Sequence, residues 1–469
     1  MNLKNIALHI PTILLPNKDI DLTRWAVIAC DQYTSQPEYW AKVKGFVGES
    51  PSTLNLMLPE ACLESENREE VIQDIHRRME KYLADGTLIC QKPGFILVDR
   101  KTPYAASRKG LIVALDLEGY DYSKGSRTLV RPTEGVIPER LPSRIRIREN
   151  AAIELPHIMV LVDDPGKTVI EPLFEKNLEK LYDFELMMGS GHVEGYMIDD
   201  GNTISEITNG LSRLTDPEAF NKKYGFTNKP PLLYAVGDGN HSLATAKSVW
   251  EKIKERAEDK KAIMNHPARY ALVELVNVHD PGLRFEPIHR VVFNVNFEGM
   301  LQEMRSFYTE QGSGFSYKTY ETKEEMQKEF DKLKQHEQST LGELLKQKSL
   351  HIIPFVAKDS HGLLIIKDPK LNIEVATLQS FLDTYLKSRL EASIDYIHGT
   401  GVVTSLASKP GSIGFYPPAI PKHELFRTVI LDGALPRKTF SMGAADEKRF
   451  YLECRRITLL RFLAPQPVG

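Results

Sequence analysis

Apolar and polar positions along this chain fall into short runs whose spacing predicts alternating strands and helices. The run Leu-Thr-Arg-Trp-Ala-Val-Ile-Ala-Cys at 22–30 predicts a strand, followed by a polar loop and a short helix near 37–44. Between 67 and 84, Val71, Ile75, Met79 and Leu83 recur at fourfold spacing on one helix face, and Asp85-Gly86 ends it. Runs at 95–100 and 109–117 predict paired strands, and 157–162 a third. Residues 173–181 read as a helix and 188–195 as an irregular, glycine-containing segment. An apolar strand at 232–236 is followed by a helix at 242–256, and 271–278 predicts another strand. Residues 297–349, rich in Lys, Glu and Gln at helical spacing, predict an outer helical subdomain. A hairpin at 351–357 and 362–367 and a helix at 378–390 follow, and 400–469 reads as short strands and Pro/Gly turns. This interleaving is too irregular for a doubly wound parallel sheet and predicts a mixed α+β fold.

Composition narrows the function classes. The chain has 469 residues, 42% hydrophobic and 26% charged, as a globular protein does. Sixty basic and sixty-three acidic residues leave a net charge of −3, which argues against nucleic acid as a partner. Cys30, Cys62, Cys90 and Cys454 form no CxxC pair, so neither a disulfide framework nor a zinc knuckle is expected. The first apolar patch is broken by His9, Pro11 and Pro16, unlike a signal peptide. No window approaches the roughly 18 apolar residues of a membrane span. The expectation is a soluble, cytoplasmic protein with no membrane partner.

Four stretches carry candidate chemistry. The first is Gly-Asp-Gly-Asn-His-Ser, 237–242, set between a strand and a helix. Gly237 and Gly239 allow a tight turn and a close approach to a ligand. Ser242 is the expected cap of a helix whose free N–H groups form an anion site. Asn240 and His241 offer further donors to phosphate. Asp238 repels phosphate, so it holds a metal, accepts a hydroxyl proton or is structural. The bland alternative is a turn with its cap. The second stretch, 129–150, holds Arg131, Arg140 and Arg144 as bidentate phosphate clamps, with Glu134 on a turn between Pro132 and Gly135. A surface salt-bridge cluster is its alternative. His289-Arg290 at the edge of an apolar strand and Lys438-Thr439 in a C-terminal turn complete the set. No GxxxxGK[ST] and no strand–GxGxxG–helix occurs, so neither a Walker loop nor a dinucleotide fingerprint is present.

Taken in order, Arg131-Pro132-Thr133-Glu134, Asp238-Gly239-Asn240-His241-Ser242, the 283–290 segment ending in Pro287-Ile288-His289-Arg290, and Pro436-Arg437-Lys438-Thr439 resemble the DUF1015 family. Asp-Tyr-Ile-His-Gly at 395–399 and Gly-Phe-Tyr-Pro-Pro at 414–418 also fit. The chain departs from the family pattern in two places. It has Cys-Asp-Gln-Tyr-Thr at 30–34 where relatives have PPYDV, and GNHS where many have GHHR. The loop and the upstream turn further resemble the ParB/sulfiredoxin-like fold, which includes free-serine kinases.

That resemblance implies three regions: 1–123 as an N-terminal α+β region, 124–295 as a ParB/sulfiredoxin-like catalytic core, and 296–469 as a C-terminal α+β region completing the site. It implies a phosphotransferase acting on L-serine, with pyrophosphate favoured as donor and ADP or ATP admissible, and Mg²⁺ as cofactor. Glu134 and Asp238 become the acid–base pair, with Asp238 nearer the attacking hydroxyl. Arg131, Thr133, Arg144, Gly237, Gly239, Asn240, His241, Ser242, His289, Arg290 and Lys438 become substrate or phosphate contacts. Metal ligands stay unassigned, and a homodimer stays open. The alternatives are a phosphoserine phosphatase and a ParB-like binding module without chemistry.

Overall fold

The computed structural model describes residues 3–63, 67–341, 350–358 and 360–459. They form two compact units: Met1–Arg284 joined by Met442–Gly469, and Phe285–Ser441. The fold is α+β, with parallel and antiparallel pairs in one sheet of the first unit. Among the described residues no helix is long and apolar enough to cross a membrane.

The first unit is organised by a nine-stranded sheet. Its order runs Glu179–Glu185, His192–Ile198, Phe95–Lys101, Lys109–Asp116, Tyr270–Asn277, Met159–Val162, Tyr234–Asp238, Val130–Pro132, with Leu8–His9 also on the 109–116 strand. Twofold alternation sends neighbouring side chains to opposite faces. Ile96, Val98 and Ile112 enter one core with Trp25, Ile72, Ile75 and Met79. Phe95, Leu97, Leu111 and Val113 enter the other with Leu243, Ala246 and Trp250. The Arg68–Ala84 helix thus buries Ile72, Ile75, Met79 and Tyr82, a face rotated slightly from the one read in the sequence.

The last part of the chain returns to this unit and is fastened by buried charge. Trp25 Nε1–H donates to the Leu452 carbonyl at 3.0 Å, and Phe450–Tyr451 pairs antiparallel with Val27–Ile28. Arg449 meets Glu274 at 2.9 Å and also pairs with Glu453, all three almost fully buried. Arg455 bonds Glu154 at 2.7 Å, and Arg148 reaches the same carboxylate at 2.5 Å.

The second unit holds a six-stranded antiparallel sheet ordered Gly314–Tyr320, Ser360–Lys367, Leu350–Ala357, Ser412–Phe415, His289–Phe293, Ser393–Ile397. Met300, Met304 and Tyr308 of the Phe297–Glu310 helix share a core with Phe355, Leu378 and Phe381.

Several expectations change. The boundary expected at 123/124 runs through one sheet, because the 95–101 and 109–116 strands share it with the 234–238 and 270–277 strands. The second break lies after Arg284, eleven residues before 295, and 442–459 rejoins the first unit instead of the C-terminal region. Residues 22–30 open with a one-turn helix, Leu22–Trp25, because the Asp21 side chain accepts from the Thr23 N–H; only Val27–Ile28 is strand. The helix read at 173–181 is a short 3₁₀ turn, Glu171–Glu175, before an edge strand, and 188–195 leads into the strand that pairs with it. Strand Gly314–Tyr320 interrupts the helical stretch 297–349, whose last part, 342–349, lies outside the described residues. Helices Thr400–Ala407 and Lys422–Asp432 occupy part of the segment read as strands and turns.

Candidate functional site

The Glu134 turn and the 237–242 loop meet because two strands far apart in sequence are parallel neighbours. Val130, Arg131 and Pro132 pair in register with Tyr234, Ala235 and Val236. Both strands therefore end side by side, one entering Thr133-Glu134 and the other Gly237-Asp238. The Thr133 hydroxyl donates to the Val236 carbonyl at 2.6 Å, and its N–H to the same oxygen at 3.3 Å. Three residues beyond Glu134, the Ile137 N–H donates to His241 Nε2 at 3.1 Å. The turn carrying Glu134 is thus tied on both sides to the 236–241 segment.

Glycine is required at 239 by its backbone conformation, whereas at 237 it is closely packed by side chains. The pairing of the 234–238 strand with the 159–162 strand slips between Val236 and Asp238, a bulge that re-aims the strand end. A Cβ on Gly237 would lie 2.8 Å from Met442 Sδ. Gly239 has φ +78°, and a Cβ there would lie 3.0 Å from Ile158 Cα. This left-handed residue turns the chain into the helix early, so Asn240–Arg256 starts three residues before the expected Leu243. Ser242 is consequently inside the first turn and is not the cap. The left-handed conformation costs a residue with Cβ roughly 1–2 kcal/mol. Gly239→Ala is expected to lose at least about that much stability, measured as a lower midpoint in urea.

Asp238 carries the central charge. Its Oδ2 accepts from Lys448 Nζ at 3.0 Å and its Oδ1 from the Gly239 N–H at 3.0 Å. Burial opposes ionisation, but Lys448, then His157 and the backbone donor, hold the carboxyl below its usual range. Beside it runs a second chain of polar groups. His157 Nε2 is 3.0 Å from Ser242 Oγ, its Nδ1 is 2.9 Å from the Tyr451 hydroxyl, and that hydroxyl donates to Cys30 Sγ at 3.1 Å. Burial and Asp31 push the Cys30 thiol up to about 12, so it is no nucleophile at neutral pH. Lys448, His157, Tyr451 and Cys30 escaped the sequence reading. Lys448 and Tyr451 lie inside the same C-terminal stretch that drew attention to Lys438, but no spacing marked them.

His241 is kept neutral. Its Nε2 accepts a backbone proton, and burial, Arg144 and Arg140 lower its pKa to about 4. An unfolded His titrates near 6.5, so between about pH 6.5 and 4 the unfolded chain binds more protons. This group's contribution therefore falls as pH drops through that window. His241→Gln is expected to show a smaller loss of urea midpoint than the wild type between about pH 7 and about pH 5.

Other sequence candidates are placed differently. Arg131 is buried, and its guanidinium donates to the carbonyls of Thr128 at 2.7 Å and of Pro230 and Pro231 at 3.1 Å. It fastens backbone instead of clamping phosphate. The Thr133 hydroxyl is likewise committed to Val236. Arg144 lies near His241 but is paired with Glu60. Asn240 is buried, and its Oδ1 has no hydrogen-bond partner among the described residues. His289, Arg290 and Lys438 belong to the second unit. There His289 is buried against Tyr416, Arg290 binds Gln379 at 3.2 Å and covers the Tyr396 ring, and Lys438 is exposed with φ +58°.

Glu134 and Asp238 are hard oxygen donors of the kind Mg²⁺ takes, though Lys448 already holds Asp238 Oδ2. This donor pair fits a cation carried in largely by phosphates, not a cage made by protein alone. Asp183, His192 and Glu194 also cluster among the described residues. Lys180 contacts Asp183 at 2.5 Å and Glu194 at 3.4 Å, and His192 faces carboxylates through both ring nitrogens. The lone pairs of that cluster are thus largely taken by Lys180 and the His192 ring.

A family model described as "Protein of unknown function (DUF1015)" matches residues 14–385. No match is found among curated proteins. Solved structures similar to this chain include a free serine kinase in complex with AMP, at 10% identity and TM-score 0.35, covering 74% of this chain and 92% of that one. A free serine kinase variant in complex with ADP gives 10% identity, TM-score 0.36, and the same 74% and 92%. A conserved hypothetical protein from Pyrococcus furiosus gives 10% identity and TM-score 0.33, covering 72% and 93%.

Proposed function

The chain belongs to the DUF1015 family, and we propose that this member transfers a phosphoryl group from a phosphoanhydride to the hydroxyl of L-serine. The observation that carries this reading is the Glu134 turn bonded on both sides to a loop that opens a seventeen-residue helix. Phosphoryl transfer needs positioning and charge neutralisation more than covalent help from the protein. The first N–H groups of the 240–256 helix, unsatisfied within the helix, receive the phosphate oxygens.

Asp238, held ionised by Lys448, takes the proton of the acceptor hydroxyl. Glu134 orients the acceptor's ammonium, and Asn240 Oδ1, which has no hydrogen-bond partner among the described residues, offers that group a second acceptor. Lys448 spreads positive charge towards the reacting centre. Glu134 and Asp238 would hold Mg²⁺ together with the donor phosphates, and the ion would supply charge neutralisation to the phosphoanhydride. Pyrophosphate is favoured as the donor over ADP or ATP, because no adenine-binding signature is visible in the sequence.

Phosphorus NMR of the purified protein with L-serine, Mg²⁺ and each donor in a separate tube tests this. O-phosphoserine is expected with one donor, and the absence of product in every tube defeats the reading.

A further inference from the structure

A cavity of about 140 Å³ opens beside Ser242 and Thr245 of the 240–256 helix, and its walls are uneven in chemistry. Much of the surface is apolar, supplied by residues such as Met57, Leu58, Met79, Ala151 and Leu272, all buried. Its charged wall groups are spent on one another: Arg144 is paired with Glu60, and Arg148 with Glu154. Cys30 and Tyr451 are bonded together, and the Thr245 hydroxyl donates to the His241 carbonyl at 2.7 Å.

Ser242 and His157 form the polar end. Ser242 Oγ lies 3.0 Å from His157 Nε2, and a hydroxyl, with one proton and two lone pairs, keeps acceptor capacity for a donor inside the cavity. The wall also includes Ile158, the residue against which Gly239 packs. The cavity therefore adjoins the loop that carries Asp238.

We infer that this cavity is an acceptor subsite for an apolar substituent, so that the site takes small hydroxy compounds with a branched aliphatic or monocyclic aromatic body. The inference rests on the phosphotransferase reading for the word acceptor; the pocket itself rests on shape and lining alone. A cavity of roughly 150 Å³ holds a benzene-sized group. L-serine, with no apolar body, leaves such a volume unfilled. A β-hydroxy amino acid bearing a phenyl group on the hydroxyl carbon fills it and keeps the amine and hydroxyl that Glu134 and Asp238 engage.

Calorimetric titration without any donor compares L-serine with 3-phenylserine. The wild type is expected to bind 3-phenylserine at least about tenfold more tightly, since one methylene in an apolar pocket is worth roughly 10- to 200-fold in discrimination. Ala151→Leu, which places three more carbons in the cavity, is expected to erase the preference. Leu58→Ala, which enlarges the cavity, is expected to keep it, so that loss of folding in one variant does not decide the matter. Equal or weaker binding of 3-phenylserine, or none up to about 10 mM, overturns the subsite, as does an unchanged preference in folded Ala151→Leu. Phosphorus NMR on the same protein preparations, with Mg²⁺ and each phosphoanhydride donor then added, separates the two ideas. A binding preference without phosphoryl transfer retires the phosphotransferase reading and keeps the pocket; phosphoserine formed without a preference retires the pocket alone.

Discussion

Asp238→Asn is expected to lower turnover of L-serine by about 10² to 10⁴, the range for a positioned general base. The amide has nearly the same shape and its one oxygen keeps the bond from the Gly239 N–H, so the turn is expected to keep its conformation, while its –NH2 group cannot accept from Lys448. What disappears is the ability to take a proton, together with the ion pair to Lys448. The same change removes a negative charge from the mouth of an anion site, so affinity for the phosphate donor should hold or improve while kcat falls. Steady-state kinetics with both substrates varied would show this split. A parallel fall in donor affinity would instead mark Asp238 as a structural residue of the turn.

The largest expected loss of stability follows Arg449→Met. Arg449 is buried between Glu274 and Glu453, both with side chains no more than 1% exposed. Burial opposes its charge, but Glu453 and Glu274 keep the guanidinium protonated. Methionine fills much of the volume and leaves Glu274 and Glu453 without the guanidinium that pairs with both. Breaking a buried pair from one side costs roughly 3–5 kcal/mol. A urea midpoint lowered by that free energy divided by the slope of the transition, or loss of a cooperative transition, is expected. The site should suffer too, because the segment that Arg449 anchors carries Lys448 and Tyr451 to Asp238 and His157.

Local pattern made part of this architecture legible. The apolar runs at 95–100 and 109–117 have only one stable disposition, a pair of neighbouring strands, and they take it. The glycines at 237 and 239 announced a turn and a helix after it, and that helix buries Leu243, Ala246 and Trp250. What the chain concealed depends on partners distant in sequence. A lone Lys448 reads as solvated until the end of the chain returns to the first unit and brings it to Asp238. Arg131 looked like a phosphate ligand because its carbonyl partners at 230 and 231 lie a hundred residues away. Edge strands such as 179–185 carry charged and apolar residues in a sequence compatible with a helix, and only pairing with 192–198 decides them. His157 had no local mark at all, since its role arises where Ser242 and Tyr451 meet.

A kinetic cycle on Glu134→Gln, Asp238→Asn and the double variant probes most directly whether these two carboxylates serve one reacting centre. Groups acting as a unit are strongly non-additive. The account predicts that the double variant turns over no more slowly than the poorer single one. Losses that multiply would place the two carboxylates in independent roles and contradict it.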